Sequence, residues 1–319
     1  MINAAVPANR RRQKQGCTHG PVMPLDRCRK ERIVMPGCCI KIKESLGSLT
    51  RKEKQVAEYV LEFPGETAEM SIEELAAASG TSSSCVVRFC KSIGYSGYKD
   101  FCRYLTADVS EADRGSILYE DIRPGDSLES IARNVAMGNM KAIENSAQIL
   151  DFSQLERAVD ALSRAKRIDF YGVGSSGLVA LDAHNKFMRI NKDVNANADP
   201  HVQILSATSL KKSDAAVFIS YTGETQDVLT ILDVAKKAHP TTIAITRFGK
   251  NTLSESCDIS LGISATETLI RSGAMSSRIS QLTIVDILYT AVASKNYDAV
   301  KPYLDKTRFA AGKIRVNNK

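Results

Sequence analysis

From about residue 40 to 110, apolar residues recur every three to four positions. Beyond residue 166 the pattern changes to short apolar runs, rich in β-branched residues, that alternate with helical stretches. The helical part opens with the short turn "IKIKESLGSL". Thr50-Arg-Lys-Glu53 then has the spacing of a capping box, with Val56, Tyr59, Val60 and Phe63 on one face and Pro64 as the stop. Ser71-Ile-Glu-Glu74 repeats the device and opens "IEELAAASG", which closes at Gly80. A third helix runs from "TSSS" through "CVVRFCKSIG" to Gly94, and a fourth from about Tyr98 to Val109.

Two short helices joined by a tight turn at Gly80, inside a bundle of four or five, have the organisation of a helix-turn-helix DNA-binding domain. In the second helix Val86, Phe89, Cys90 and Ile93 fall at core spacing, which leaves Ser82, Ser83, Ser84, Cys85, Arg88 and Lys91 for the outer face. Hydroxyls at a helix N-terminus can hold phosphate while Arg88 reaches base edges, so Ser71, Ser82, Ser83, Ser84, Arg88 and Lys91 are the candidate DNA contacts.

"RPGDSLES" predicts a turn followed by a helix that runs to about Ile149. "RIDFYGV", "AAVFISY", "TTIAITRF" and "DISLGI" predict strands, with helices at about 177–190, 200–210, 226–239 and 276–294. Strand and helix in alternation imply a parallel sheet covered on both faces. The expected fold is therefore an all-α helix-turn-helix domain followed by an α/β domain. The expected boundaries are a disordered basic tail at 1–38, the helix-turn-helix at 39–112, a linker and arm helix at 113–150, the α/β domain at 151–296, and a C-terminal helix and tail at 297–319.

Net charge changes this picture little. Of the +7 carried by 319 residues, +6 lies in residues 1–34, where eight Lys and Arg face only Asp26 and Glu31. The rest of the chain is nearly neutral, so bulk charge is no argument for DNA binding. The tail has no apolar segment after its arginines and does not read as a secretion signal; Met35 is a second candidate start. No uncharged apolar run reaches the roughly 18 residues of a membrane helix, and a cytoplasmic protein is expected. The eight cysteines include no C-x-x-C pair. Cys17, His19 and Cys28 lack a fourth ligand, so reduced thiols, no metal site and no cofactor are expected.

The chemistry concentrates at two strand ends, where open α/β sheets bind ligands. "RIDFYGV" is followed by Gly174-Ser175-Ser176-Gly177, and "AAVFIS" by Ser220-Tyr221-Thr222-Gly223-Glu224-Thr225. Gly172, Gly174 and Gly177 also satisfy the G-x-G-x-x-G spacing of a dinucleotide fold, with Asp199 as its ribose acid, but that fold gives no reason for the second hydroxyl-rich turn. Backbone N–H groups, helix dipoles and several hydroxyls aimed at one spot favour a small phosphate dianion.

At these residues the second half resembles the sugar isomerase (SIS) domain, whose phosphosugar loop has the form S-x-S-G-x-T; "SYTGET" departs by Thr222, which keeps the hydroxyl. The first half is similar to the N-terminal domain of RpiR-type bacterial transcription regulators, with "LTRKEKQVAEYVLEFP", "SIEELAAASG" and "VVRFCKSIGYSGYKDF" in order. The resemblance covers about 40 to 310, although Thr81, Ser83 and Cys85 stand where many relatives have Val, Glu and Thr. It implies a regulator whose DNA binding answers to a sugar phosphate. "ETLIRSGAMSSRISQLTIVDILY" is similar to members that sense N-acetylmuramic acid 6-phosphate or related amino-sugar phosphates. It further implies that Ser175, Ser176, Ser220, Thr222 and Thr225, together with Tyr221 of the same turn, bind the phosphate. Glu267, Ser276, Ser277 and Arg278 are candidates for the sugar end, with helix capping as their alternative.

SIS domains also serve isomerases and lyases, which need a placed acid and base. His184, His201 and His239 lie outside the hydroxyl-rich turns, and Glu224 is the one acid within them. No catalytic residue is assigned. The expected partners are an operator duplex, a sugar-phosphate effector and further copies of the chain, because "SRISQLTIVDILYTAVASKNY" is apolar on nearly every side.

Overall fold

The computed structural model describes residues 37–111, 125–264 and 274–316. Residues 1–36 of the expected tail and 113–124 of the expected linker and arm helix lie outside them. The helical half comprises α1 (Cys38–Ser45), α2 (Arg51–Glu62), α3 (Pro64–Glu69), α4 (Ile72–Ala78), α5 (Ser83–Ser92) and α6 (Tyr98–Glu111). Both capping boxes form, Thr50 with Glu53 and Ser71 with Glu74, so each helix starts where its first unpaired N–H groups find acceptors. Gly80 and Gly94, at φ +62° and +88°, close α4 and α5 in the left-handed region that favours glycine. Val56, Val60, Leu75, Val86, Phe89, Ile93, Phe101 and Leu105 form the core between the helices. Pro64 does more than stop α2: it is the first residue of α3, where its missing N–H leaves no bond unmade.

The second half holds α7 (Leu128–Ile149), α8 (Phe152–Arg164), β1 (Arg167–Tyr171), α9 (Gly174–Met188), β2 (Asp193–Ala196), α10 (Pro200–Thr208), β3 (Ala215–Ile219), α11 (Gln226–Lys236), β4 (Thr241–Arg247), α12 (Thr252–Ser256), β5 (Ile259–Ile263), α13 (Ser276–Lys295) and α14 (Tyr297–Val316). The strands form one parallel sheet in the order β2-β1-β3-β4-β5. Alternation along each strand divides the interior. Ile168, Val217, Ile219, Ile243 and Ile245 pack under α8, α9 and α13, whereas Tyr171, Phe218 and Ala244 pack under α10, α11 and α12.

The order reverses between β1 and β3, so α9 and α11 leave neighbouring strand ends toward opposite faces of the sheet. That is the switch point at which such sheets bind ligands. Three elements of this half go beyond expectation: the short helix α12, β2 and α8. β2 is an added edge strand, and α8 is an added helix that starts at Asp151, whose carboxylate accepts from the N–H groups of Ser153 and Gln154.

Candidate functional site

β1 and β3 pair with Tyr171 opposite Phe218, which sets the two hydroxyl-rich segments side by side. The first is not a free loop: Gly174-Ser175-Ser176-Gly177 forms the opening turn of α9. A methyl group on Gly172 would stand 2.8 Å from the Ser176 carbonyl oxygen, and one on Gly177 3.0 Å from that of Gly172. The two glycines let the strand end touch the helix turn. Gly174, at φ +57°, has open space where a side chain would be. Ser175 Oγ is buried without a hydrogen-bond partner, a state that costs about 1–3 kcal/mol.

Two buried glutamines hold this turn from opposite faces of the sheet. Gln281 of α13 donates from Nε2 to Ser176 Oγ at 3.1 Å. Gln203 of α10 donates to the carbonyl of Gly172 at 2.8 Å and to that of Asn197 at 2.7 Å, and accepts the Gly172 N–H at 3.3 Å. Sequence pattern did not disclose either residue, since nothing local marks a contact that spans the sheet.

The second segment is a turn ahead of α11. Ser220, 3% exposed, shares a hydrogen bond of 2.9 Å with Thr225 Oγ1 and accepts the Gly223 N–H at 3.3 Å. Thr225 occupies the N-cap position of α11 but its hydroxyl makes no capping bond; it faces Ser220. Thr222 Oγ1 accepts from the Glu224 N–H at 3.2 Å. The Tyr221 carbonyl takes the Arg247 N–H at 2.9 Å and the Thr246 hydroxyl at 3.2 Å. The N-termini of α9 and α11 thus follow adjacent strand ends, and the two turns carry five Ser and Thr hydroxyls; helix N-termini favour anions.

Glu224 is exposed, and its carboxylate accepts from the backbone N–H and the hydroxyl of Thr252 at 2.8 and 2.7 Å. Those bonds hold it below the usual carboxylate range, as an acceptor rather than a proton-transfer group. His201 is in the first turn of α10 and His239 follows α11, both exposed, while His184 lies along α9. The Asp199 carboxylate caps α10, accepting from the His201 N–H at 2.8 Å.

Of the sugar-end candidates, Ser276 and Ser277 are buried in the first turn of α13 and Arg278 is exposed there; Glu267 lies outside the described residues. The N-cap position of α13 is Met275, with no side-chain cap bond.

On α5, Ser82, Ser84, Arg88 and Lys91 are exposed and Ser83 is half-buried. Ser82 caps the helix through the Cys85 N–H at 3.3 Å and lies 3.0 Å from the Ser84 hydroxyl. Cys85 does not share the outer face. It is 2% exposed and belongs to the core, as its place four residues before Phe89 requires. Ser71 is exposed at the start of α4 and serves its capping box. Beside α5, burial raises the Glu53 carboxyl, but the Thr50 and Ser92 hydrogen bonds and the nearby Arg88 charge outweigh it and hold the group below its usual range.

Among the described residues no three His, Cys, Asp or Glu gather as metal ligands, and no helix is long and apolar enough to cross a membrane.

Residues 37–112 match the model of the rpiR-family helix-turn-helix domain and residues 161–291 that of the SIS domain. An uncharacterised HTH-type transcriptional regulator of Caldanaerobacter subterraneus is 40% identical over 277 residues, which are 87% of this chain and 98% of that protein. The HTH-type transcriptional regulator HexR of Pseudomonas aeruginosa is 32% identical over 84% of this chain and 93% of its own length. The solved structure of Vibrio vulnificus NanR complexed with ManNAc-6P aligns with TM-score 0.55 at 25% identity, over 87% of this chain and 98% of that one. With a helix-turn-helix half, a SIS half and relatives of this kind along nearly its whole length, the chain belongs to the RpiR family of transcriptional regulators.

Proposed function

We propose that this regulator binds an operator duplex through α5 and that a sugar phosphate seated between the N-termini of α9 and α11 controls that binding. The observation that carries the reading is the convergence of two hydroxyl-rich turns, one with the unpartnered Ser175 hydroxyl, on adjacent strand ends. Ser175, Ser176, Ser220, Tyr221, Thr222 and Thr225 form the phosphate side, and Ser276, Ser277, Arg278 and Glu267 the sugar side. Amino-sugar 6-phosphates are the first candidates, supported by the ligand named for the NanR structure and by the "ETLIRSGAMSSRIS" segment. On α5, Arg88 reads bases while Ser82, Ser83, Ser84 and Lys91 hold the backbone; Ser71 adds a phosphate contact at the start of α4.

The site binds rather than converts its ligand, because the acid within it is tied to Thr252. The effector favours one arrangement of the chain and so changes its affinity for DNA by linkage. A cytoplasmic homodimer or homotetramer fits this reading. The test is to select duplexes from genomic fragments, then repeat binding with N-acetylmannosamine 6-phosphate, N-acetylmuramic acid 6-phosphate, their unphosphorylated sugars and NAD. A response to one phosphorylated sugar alone supports the reading. Tight NAD binding, equal response to the free sugar, or turnover of the sugar phosphate overturns it.

A further inference from the structure

The segment Arg247–Asn251, between β4 and α12, touches both halves of the molecule. On one side it is joined to the second hydroxyl-rich turn. The Arg247 N–H donates to the Tyr221 carbonyl at 2.9 Å, the Leu253 N–H donates to the Gly223 carbonyl at 3.0 Å, and Glu224 accepts twice from Thr252. The fit around Gly223 is close: a methyl group there would stand 1.9 Å from Asn251 Oδ1. A shift of Gly223 toward Asn251 therefore displaces Asn251.

On its other side the same segment bears on α1 of the DNA-binding half. A side chain on Gly249 would meet the Glu44 carbonyl oxygen and the Ser45 Cα and Oγ, each at 3.7 Å. The Phe248 ring stands 5.6 Å from Lys41 Nζ, which also lies 4.9 Å from the Tyr95 ring, and burial holds that ammonium below its ordinary range. Alongside, at the end of β5, Ser264 Oγ donates to the Glu44 carboxylate at 2.7 Å. The backbone of Ser264 is fixed by Ser146 of α7 and Ser280 of α13.

Contacts alone do not make a switch; the element must have a second arrangement within reach. Ser45 supplies the reason. Its side chain is 0% exposed and its Oγ has no hydrogen-bond partner, directly against Gly249. An unpaired buried hydroxyl makes this docking costly to keep and easy to exchange for one that satisfies it.

We infer that the β4–α12 segment is the relay between effector and DNA: it passes a shift of the Ser220–Thr225 turn to α1 through Phe248 and Gly249. The inference rests on the proposed effector site, so its test includes an arm without ligand. In the full chain, Gly223→Ala, or the milder Thr252→Val, should raise amide exchange of residues 38–45 at least threefold, with α4 and α5 unchanged. Ser175→Ala, in the other turn, should leave residues 38–45 alone. Unchanged exchange there in both loop variants overturns the relay whether or not any sugar phosphate binds.

With ligand, Phe248→Ala should bind N-acetylmannosamine 6-phosphate by calorimetry within about threefold of wild type. The change that this ligand causes in affinity for the selected duplex should fall at least tenfold. A Phe248→Ala protein whose duplex affinity still answers the ligand in full overturns the relay. A wild type that binds no sugar phosphate overturns the proposed function instead and leaves the exchange result to decide the relay.

Discussion

Ser220 Oγ and Thr225 Oγ1 stand 2.9 Å apart and hydrogen-bond each other across the turn that leads into α11. Each hydroxyl is therefore the other's partner as well as a candidate donor to phosphate. Ser220→Ala, Thr225→Ala and Ser175→Ala should each weaken effector binding by about 1.5–3 kcal/mol, tenfold or more, as expected for one hydrogen bond to a charged group. The Ser220/Thr225 double variant should lose less than the sum of the two singles, because the first change already unpairs the second hydroxyl. Calorimetric titration with amino-sugar 6-phosphates measures both quantities. DNA affinity without effector should not change.

Arg88 projects from the exposed side of α5 while Phe89 and Cys90 are buried behind it. Arg88→Ala should cost about 1–3 kcal/mol in operator affinity and relax sequence preference. Lys91→Ala should weaken all sequences alike and lower the salt slope by about one. A fluorescence anisotropy series over operator variants and salt separates the two effects.

Acid should loosen the helical half through Glu53. Its carboxyl is held below the usual range in the fold, so the stabilisation it provides is fully present above the unfolded value of about 4.3 and is lost as pH falls through the lower folded value. Glu53→Gln should be less stable than wild type at pH 7, and the gap should narrow as pH falls from about 5 toward 3. Chemical denaturation at stepped pH, followed by helical signal, records that convergence.

Gln281 reaches from α13 to Ser176 and is 1% exposed. Gln281→Met keeps the volume and removes the amide, so it should destabilise the fold by about 1–3 kcal/mol and weaken effector binding, since Ser176 loses its holder. In this variant both stability and affinity should fall, whereas Ser175→Ala should weaken titration while leaving thermal stability equal or higher, because it removes an unpartnered buried hydroxyl.

Much of this architecture is legible along the chain because its signals are local. Both capping boxes need only residues three apart, Gly80 and Gly94 mark helix ends by their freedom at positive φ, and β3, β4 and β5 are short runs of apolar and β-branched residues. β2 is short and half polar: Asp193 and Asn195 alternate with Val194 and Ala196, as suits an edge strand, and that leaves little signal. For α8 the signal was present, in Asp151 followed by Leu155, Ala158, Val159 and Leu162 at helical spacing. Cys85 was legible too, since its distance from Phe89 places it on the core stripe. The hydroxyl turns could be found from composition, but Gln203, Gln281 and the Glu44–Ser264 bond could not. Residues 31 to 220 positions apart meet there only because the sheet is closed in one order.

The switch point also has a mechanical meaning. The helices that leave it, α9 and α11, lie in different layers, one on each face of the sheet, and their first turns meet only at the ends of β1 and β3. On the proposed function, a dianion gripped by both turns is a rivet through the three layers. Heat should then detach neither helix layer ahead of the other, and the melting point should climb with the logarithm of effector concentration, by about 2.7 kcal/mol of added stability at a hundred times Kd.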